Sequence, residues 1–336
     1  MKTNNAHLDV DGNEDASRSN AMLVISAEPL SEVFHDILVR QFSVRPNVMS
    51  IPDLRAERLT VMIRRLRARR IETLLIVCES ESTAPIMPIL KVFSLFLGAR
   101  NTFAMMYDGV QEKVSTTDKL AAIISTIIAI IEGLKVLHRS RKHIAELMGL
   151  PRTESVAAKT GDFVFIKVTP MSGGAFGGAL AHFLGVINGF VRLGQKCVAV
   201  TTGTLHGVET SVETVSVAAP QGMAPPLRFI QSAGEMNTFR MNDGYVDFLQ
   251  SRFTAQSPKV IYQRLTLGTY CGVVLSRRFG VPLIIEYNGS EAWVAANWGT
   301  RLVNEDLAYD VERVCVRHAH LVVCVSTVLR DELINL

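Results

Sequence analysis

A chain of 336 residues is long enough for two ordinary domains, and its 35 Lys and Arg against 32 Asp and Glu leave a formal charge of only +3, too small to imply a nucleic-acid partner. A hydrophobic content of 48% is rich for a soluble protein and suggests buried parallel sheets, a membrane-touching surface, or both. Five scattered cysteines (Cys78, Cys197, Cys271, Cys315, Cys324) have no CxxC spacing, which argues against a zinc site or a disulfide framework and for core thiols of a reducing cytoplasm.

Residues 1–20 are polar without an apolar core, so a disordered tail is expected there and no signal peptide. From residue 21 strand and helix signals alternate. AMLVISA (21–27) reads as a strand, SEVFHDILVRQF (31–42) as an amphipathic helix with Ser31 near its cap, and NVMSI as a short strand. LRAERLTVMIRRLRARR (54–70) reads as one basic helix and IETLLIVCES (71–80) as a buried strand. APIMPILKVFSLFLG reads as an apolar helix and NTFAMMYDG as a last strand ending at a turn. This alternation predicts a small α/β domain over 21–112 with a parallel sheet covered by helices. Its first turn, AEPLSE, has no glycine-rich phosphate loop, so a structural or partner-binding role is expected of it.

Residues 113–158 read as a helical connector. KLAAIISTIIAIIEGLKVL (119–137) holds six isoleucines and is followed by HRSRKH, while 54–70 carries seven arginines against Glu57 alone. The apolar run Leu120–Ile131 is twelve residues, short of the ~20 that a spanning helix needs. Two readings compete. One is an interfacial helix drawn to anionic lipid by basic flanks; the other is a long helix packed between two domains with its Ile face buried.

The segment 163–200 reads strand, glycine-rich turn, helix, strand. FVFIKV is an apolar run broken by one Lys, and TPMSGGAFGG places Gly173, Gly174, Gly177 and Gly178 before a helical stretch. The spacing is neither the dinucleotide fingerprint nor a P-loop. The glycines serve either ligand approach or tight strand–helix packing. Further on come SVETVSVAA and PPLRFI as short strands, then a helix over EMNTFRMNDGYVDFLQSRF interrupted at Asp243-Gly244. PKVIYQRL reads as a strand, GTYCGVVLSRRFG as a helix, and VPLIIEYNGSEAW as a strand running into a polar loop. RLVNEDLAYDVERVCVRHA is a helix, HLVVCVS a strand, and TVLRDELINL begins another helix. The expected fold class is α/β with two Rossmann-like parallel-sheet units.

GGAFGG after a strand, IYQR at the end of a later one, PLIIEYNGSEAW, and ERVCVRHAHLVVCVSTVLRDEL stand in an order that resembles the N-terminal domain of GT-B glycosyltransferases, most nearly glycosyltransferase family 4, over about residues 160–336. The resemblance implies retaining, metal-independent hexosyl transfer from a nucleotide sugar to a glycan or lipid-linked acceptor, at the cytoplasmic face of a membrane and with no cofactor. It implies that Gly173, Gly174 and Gly177 approach the donor's phosphate or transferred sugar, and that Glu286, Asn288 and Glu291 shape the acceptor side. Arg264 contacts an anionic group or pairs with Glu286. Trp293, near Tyr287 and Trp298, offers a face to sugar C–H bonds, unless the tryptophans belong to the core of a short helix. The donor-binding second domain, with its paired glutamates, has no counterpart here, which leaves a longer or complemented chain as the expected enzyme.

The duller readings stay beside these. Asn288-Gly289 is a common turn dipeptide. Glu312 reads as a surface or interdomain salt bridge, Ser326 as the cap of the last helix, and His318-x-His320 lacks a third zinc ligand. An NAD enzyme is disfavoured because KCVAVTTGTLH (196–206) has no acidic residue to hold a ribose. A non-catalytic Rossmann-like module that binds a partner glycosyltransferase or a sugar nucleotide is the remaining alternative.

Overall fold

The computed structural model describes residues 22–42, 46–55, 58–79, 83–154, 160–168, 178–203, 205–220, 232–299 and 301–334. The tail 1–20, the strand expected over PPLRFI, and Gly173, Gly174 and Gly177 lie outside them. The chain divides into two compact units, Met1–Ile128 and Ala129–Leu336. Each is built on a parallel sheet, so the protein is α/β with two Rossmann-like units.

In the first unit the strands β1 (Met22–Ser26), β2 (Asn47–Ser50), β3 (Thr73–Val77), β4 (Asn101–Met105) and β5 (Gln111–Lys113) lie in the order β2-β1-β3-β4-β5. The central strands β1 and β3 are continuous aliphatic runs because helices leave neither face of a parallel sheet to water. Helix α1 (Glu32–Phe42) buries Phe34 and Leu38, one turn apart, and Ser31 Oγ accepts the Phe34 amide at 3.2 Å. The basic segment differs from the single helix expected. It forms α2 (Ile51–Arg55) and α3 (Leu59–Ala68), because Ser50-Ile-Pro-Asp53 starts a helix early. Asp53 Oδ2 takes the Ser50 amide at 2.8 Å, and Pro52 occupies a first-turn position. After α4 (Met87–Leu97) and β4, the chain turns back into β5, which pairs antiparallel to β4. Gln111, Glu112 and Lys113 carry no apolar pattern, so this edge strand was not foreseen.

Helix α5 (Thr116–Gly149) is 34 residues long, about 50 Å, and runs from the first unit into the second. It starts at a reciprocal cap in which Ser115 N–H donates to Asp118 Oδ2 (2.8 Å) and Asp118 N–H to Ser115 Oγ (3.1 Å). Its second half buries Val136, Ile144 and Leu147 in the core of the second unit. The isoleucine run is partly packed, with Ile130 against Ala233 and Met236. Leu120, Ile124, Ile127, Ile128, Ile131 and Leu134, at helical spacing, are exposed.

The second unit holds β6 (Phe163–Lys167), β7 (Cys197–Thr201), β8 (Glu213–Ser216), β9 (Val260–Arg264), β10 (Leu283–Tyr287) and β11 (Leu321–Cys324), all parallel, in the order β11-β10-β9-β6-β7-β8. The chain starts in the middle at β6 and steps outward to β8. It then returns to β9 and steps outward on the other side. On one face α6 (Gly178–Arg192) sets Phe183 and Ile187 against Phe165, Ala199 and Tyr262. On the other, α5, α7 (Ala233–Arg252), α8 (Cys271–Phe279) and α10 (Glu305–His318) pack over Val164, Ile166, Val200, Leu283 and Ile285. The break expected at Asp243-Gly244 does not occur. Buried Phe239, Met241, Tyr245 and Leu249 hold α7 together, outweighing the ~1 kcal/mol that glycine costs a helix.

His318 and His320 are used structurally. His318 Nε2 meets the Leu147 carbonyl at 2.9 Å, and His320 Nδ1 accepts the Leu283 amide at 3.0 Å. Burial holds both imidazoles below their ordinary pKa, and neighbouring arginines reinforce the effect. Below about pH 6.5 the unfolded chain therefore takes up protons that the fold resists, and this part of the stability is lost as pH falls. Buried carboxyls with raised pKa, Glu291 and Glu312 among them, act in the opposite sense at lower pH. Comparing urea midpoints at pH 7 and 5.5 for the wild type and for His320→Asn isolates the effect. Asparagine can still accept the Leu283 amide, so the variant should lose less stability on acidification, and an unchanged difference would count against this role.

Candidate functional site

In register, the α6 face of the second sheet is apolar until its carboxyl edge and then turns polar in one step. Phe165, Ala199 and Tyr262 form the last hydrophobic row. One pleat further on, Ser216 pairs with Thr201, Thr201 with Lys167, and Arg264 with Glu286. Lys167 and Arg264 end the two strands flanking the point where the chain reverses direction across the sheet. In open α/β sheets, ligands are held in the crevice at such a point.

Glu286 is the anchor of this row. Its side chain is 1% exposed, and four groups converge on it. Arg264, at 12% exposure, pairs with Oε1. Asn288 Nδ2 donates to Oε1 at 2.7 Å, Tyr262 Oη donates to Oε2 at 2.9 Å, and His182 Nδ1 lies 3.1 Å from Oε1. Burial and the adjacent carboxylate push the Tyr262 phenol far up, so it stays a donor. A carboxylate so fully satisfied fixes its neighbours and is poorly suited to take a proton from substrate.

Asn288 has further significance. Because Glu286 only accepts, the amide must turn its NH₂ inward, which leaves Oδ1 buried without a hydrogen-bond partner among the described residues. Gly289 follows at φ +131°, a backbone region that suits glycine, so the turn reading of this dipeptide also holds. The polar loop expected after β10 is largely a helix, α9 (Glu291–Asn297). Ser290 Oγ accepts the Trp293 amide at 3.0 Å, and Glu312 Oε1 accepts the Ala292 amide at 2.9 Å. Glu312 is therefore a buried helix-capping carboxylate and not a surface salt bridge. Glu291, opening α9 near Arg264, has its pKa raised by burial. Trp293 and Trp298 are not core residues. They pack edge to face at 5.0 Å, both exposed, Trp298 at 78%. Ser326 caps the last helix, α11 (Thr327–Ile334), accepting the Leu329 amide at 3.2 Å.

The structure thus brings Arg264, Glu286, Asn288 and Glu291 to one edge and leaves Trp293 exposed on the adjoining helix. Lys167, His182 and Tyr262 join that edge without having been singled out from the sequence. For Lys167 the signal was there, as the one charge in an apolar strand. Burial pushes its ammonium pKa down, and the nearby Arg264 charge adds to the shift. The ammonium makes no hydrogen bond or ion pair with the described residues, while the Lys167 carbonyl accepts from Tyr245 Oη at 3.2 Å. Among those residues no group of three or more His, Cys, Asp or Glu is placed to hold a metal ion.

Comparison with known proteins adds little. No protein-family model matches the chain, and no curated protein matches it. A solved structure of D-2-hydroxyisocaproate dehydrogenase aligns over 88% of this chain and 95% of its own, at 9% identity and a TM-score of 0.20, a likeness that carries no argument about function. What stands is an α/β protein of two Rossmann-like units with a polar row at the carboxyl edge of the second.

Proposed function

We propose that this chain is the acceptor-side part of a GT-B glycosyltransferase that moves a hexosyl group from a nucleotide sugar to a glycan or lipid-linked acceptor. The observation that carries the reading is the row Lys167–Arg264–Glu286 at the strand-reversal point. There guanidinium, carboxylate and amide groups suited to sugar hydroxyls and phosphates converge from separate strands. In the transfer, the bond from the anomeric carbon to the diphosphate oxygen breaks and one to the acceptor oxygen forms. The acceptor's proton leaves with the diphosphate or to solvent. A donor-binding domain, in the same polypeptide or a partner, would hold the nucleotide. The test is calorimetric titration with UDP- and GDP-sugars, with product analysis for the chain alone and joined to a donor domain. Transfer only when joined supports the reading; no donor binding or transfer by either would sink it.

A second reading, a non-catalytic module that holds a sugar nucleotide or a partner enzyme, draws on the saturation of Glu286. Binding without turnover in the joined form would favour it.

The same proposal sets the chain at an anionic membrane surface through α5. Among the described helices α5 is long and apolar enough to cross a membrane, but its exposed stripe of Leu120, Ile124, Ile127, Ile128, Ile131 and Leu134, with Lys119 and Lys135 at its ends, suits an interfacial helix. Ile127→Glu with Ile131→Glu should weaken co-sedimentation with phosphatidylglycerol vesicles by about ten-fold or more. Equal sedimentation of the double variant would remove the membrane from the proposal.

A further inference from the structure

We infer that Lys167 and Arg264 together bind a phosphate group of the ligand, in the crevice between the ends of β6 and β9. Four observations meet there. Lys167 is half buried, and its ammonium makes no ion pair or hydrogen bond with the described residues, although burying an ammonium unpaired is costly. It lies close enough to Arg264 for the two charges to disfavour one another. Arg264 is matched by Glu286, with Glu291 also near it, and the Lys167 ammonium is the cation of this row that no described carboxylate pairs with. The row also faces the first turns of α6, because His182 on that helix touches Glu286, and a helix N-terminus adds positive potential.

The chemistry that satisfies this arrangement is an oxyanion with several negative oxygens. Lysine supplies a compact point charge and arginine a planar fork. Glu286 takes Nη1 of the guanidinium, and no described residue takes its other nitrogens. Asn288 Oδ1, buried beside the row and without a partner among the described residues, is an acceptor suited to a hydroxyl on the same ligand. Together they describe a phosphorylated polyol, the phosphate at Lys167 and Arg264 and a sugar hydroxyl nearer Asn288. This deepens the glycosyltransferase reading and rests on it only for the sugar half; the anion site stands on the charge geometry alone.

The phosphate has two sources, a soluble sugar phosphate or nucleotide diphosphate and a lipid phosphate, and the experiment separates them. The full chain is titrated with inorganic pyrophosphate, UDP and glucose 1-phosphate. In parallel it is sedimented with vesicles containing phosphatidic acid or an equal charge of phosphatidylserine. The same is done for Lys167→Met, which keeps the stem and removes the charge. The wild type should bind at least one phosphate probe, and Lys167→Met should bind it about ten-fold or more weakly. The variant's melting temperature should be unchanged or higher, since a buried unpaired charge has gone. Solution binding assigns a soluble phosphate, and preference for phosphatidic acid over phosphatidylserine assigns a lipid phosphate. Equal affinity in wild type and Lys167→Met, or no binding of any probe by the folded protein, overturns the site. Failure of the two proposals is distinguishable. Phosphate binding lost in Lys167→Met but without sugar transfer by the joined enzyme keeps the anion site and removes the glycosyltransferase. Transfer that Lys167→Met leaves intact and pyrophosphate does not inhibit does the reverse.

Discussion

Arg264→Met should cost the second unit about 3–5 kcal/mol. The guanidinium does not earn this by the strength of the ion pair, since desolvating both partners offsets most of the Coulomb gain. The loss arises because Glu286, 1% exposed, is left as a buried carboxylate with Tyr262, Asn288 and His182 but without its countercharge. Removing both charges should be far milder. Arg264→Met combined with Glu286→Gln keeps an acceptor for Tyr262 and leaves no stranded ion, so the double variant should be more stable than Arg264→Met. Urea unfolding of the four members of the cycle checks this. A double variant as unstable as the sum of the singles would show that the two side chains do not act as a pair.

That pair also marks where reading along the chain runs out. Arg264, Glu286 and Asn288 were legible because each falls at or just after the end of a strand, and parallel sheets present strand ends to ligands. The apolar runs of β1, β3, β6 and β10 were legible for a related reason: a sheet covered on both faces tolerates few other residues. Lys167, His182 and Tyr262 join the site through register and strand order, which are properties of the assembled sheet. Nothing local says that β9 returns to lie beside β6, and without that neighbour Lys167 is one charge at the end of an apolar strand.

The elements that were missed or misjudged have comparable physical causes. β5 is Gln-Glu-Lys on an edge, where pairing needs only backbone groups, so side-chain pattern is uninformative. The cap of α5 at Ser115 and Asp118 lies before the isoleucine run that drew attention to the helix. Gly244 suggested a break in α7 because propensity is a local quantity, whereas the burial that overrides it comes from distant residues. Glu312 looked like a surface charge on an amphipathic helix. Its role emerges only when the Ala292 amide arrives 20 residues away in sequence. The aromatic pair Trp293 and Trp298 is undecidable from sequence, since a short helix at a sheet edge has no fixed inner face.

Gly272→Ala should destabilise the second unit by about 3–5 kcal/mol, although one methyl group is all it adds. Gly272 sits in the first turn of α8, where an added Cβ would meet Gln263 Oε1 at 2.5 Å and Leu283 Cδ1 at 3.0 Å. Gln263 has no room to step aside. It is fully buried in the central region of the sheet, its Oε1 takes the Gly272 amide at 2.6 Å, and its Nε2 donates to the Thr269 carbonyl at 3.0 Å. The glutamine thus caps α8 from within β9, supplying a partner for an amide that the helix itself leaves unpaired. Moving it to admit the methyl group strands a buried donor and a buried acceptor, and the overpacking cost adds to both. Shortening the glutamine makes the space: Gln263→Ala alone loses the cap, but with it in place Gly272→Ala should cost about 1 kcal/mol or less, because the atom it collided with has gone. Additive losses in that cycle would mean that the glycine answers to Leu283 and not to the cap. Strong coupling would make Gln263 and Gly272 the joint that fixes how α8 leaves the strand that carries Arg264.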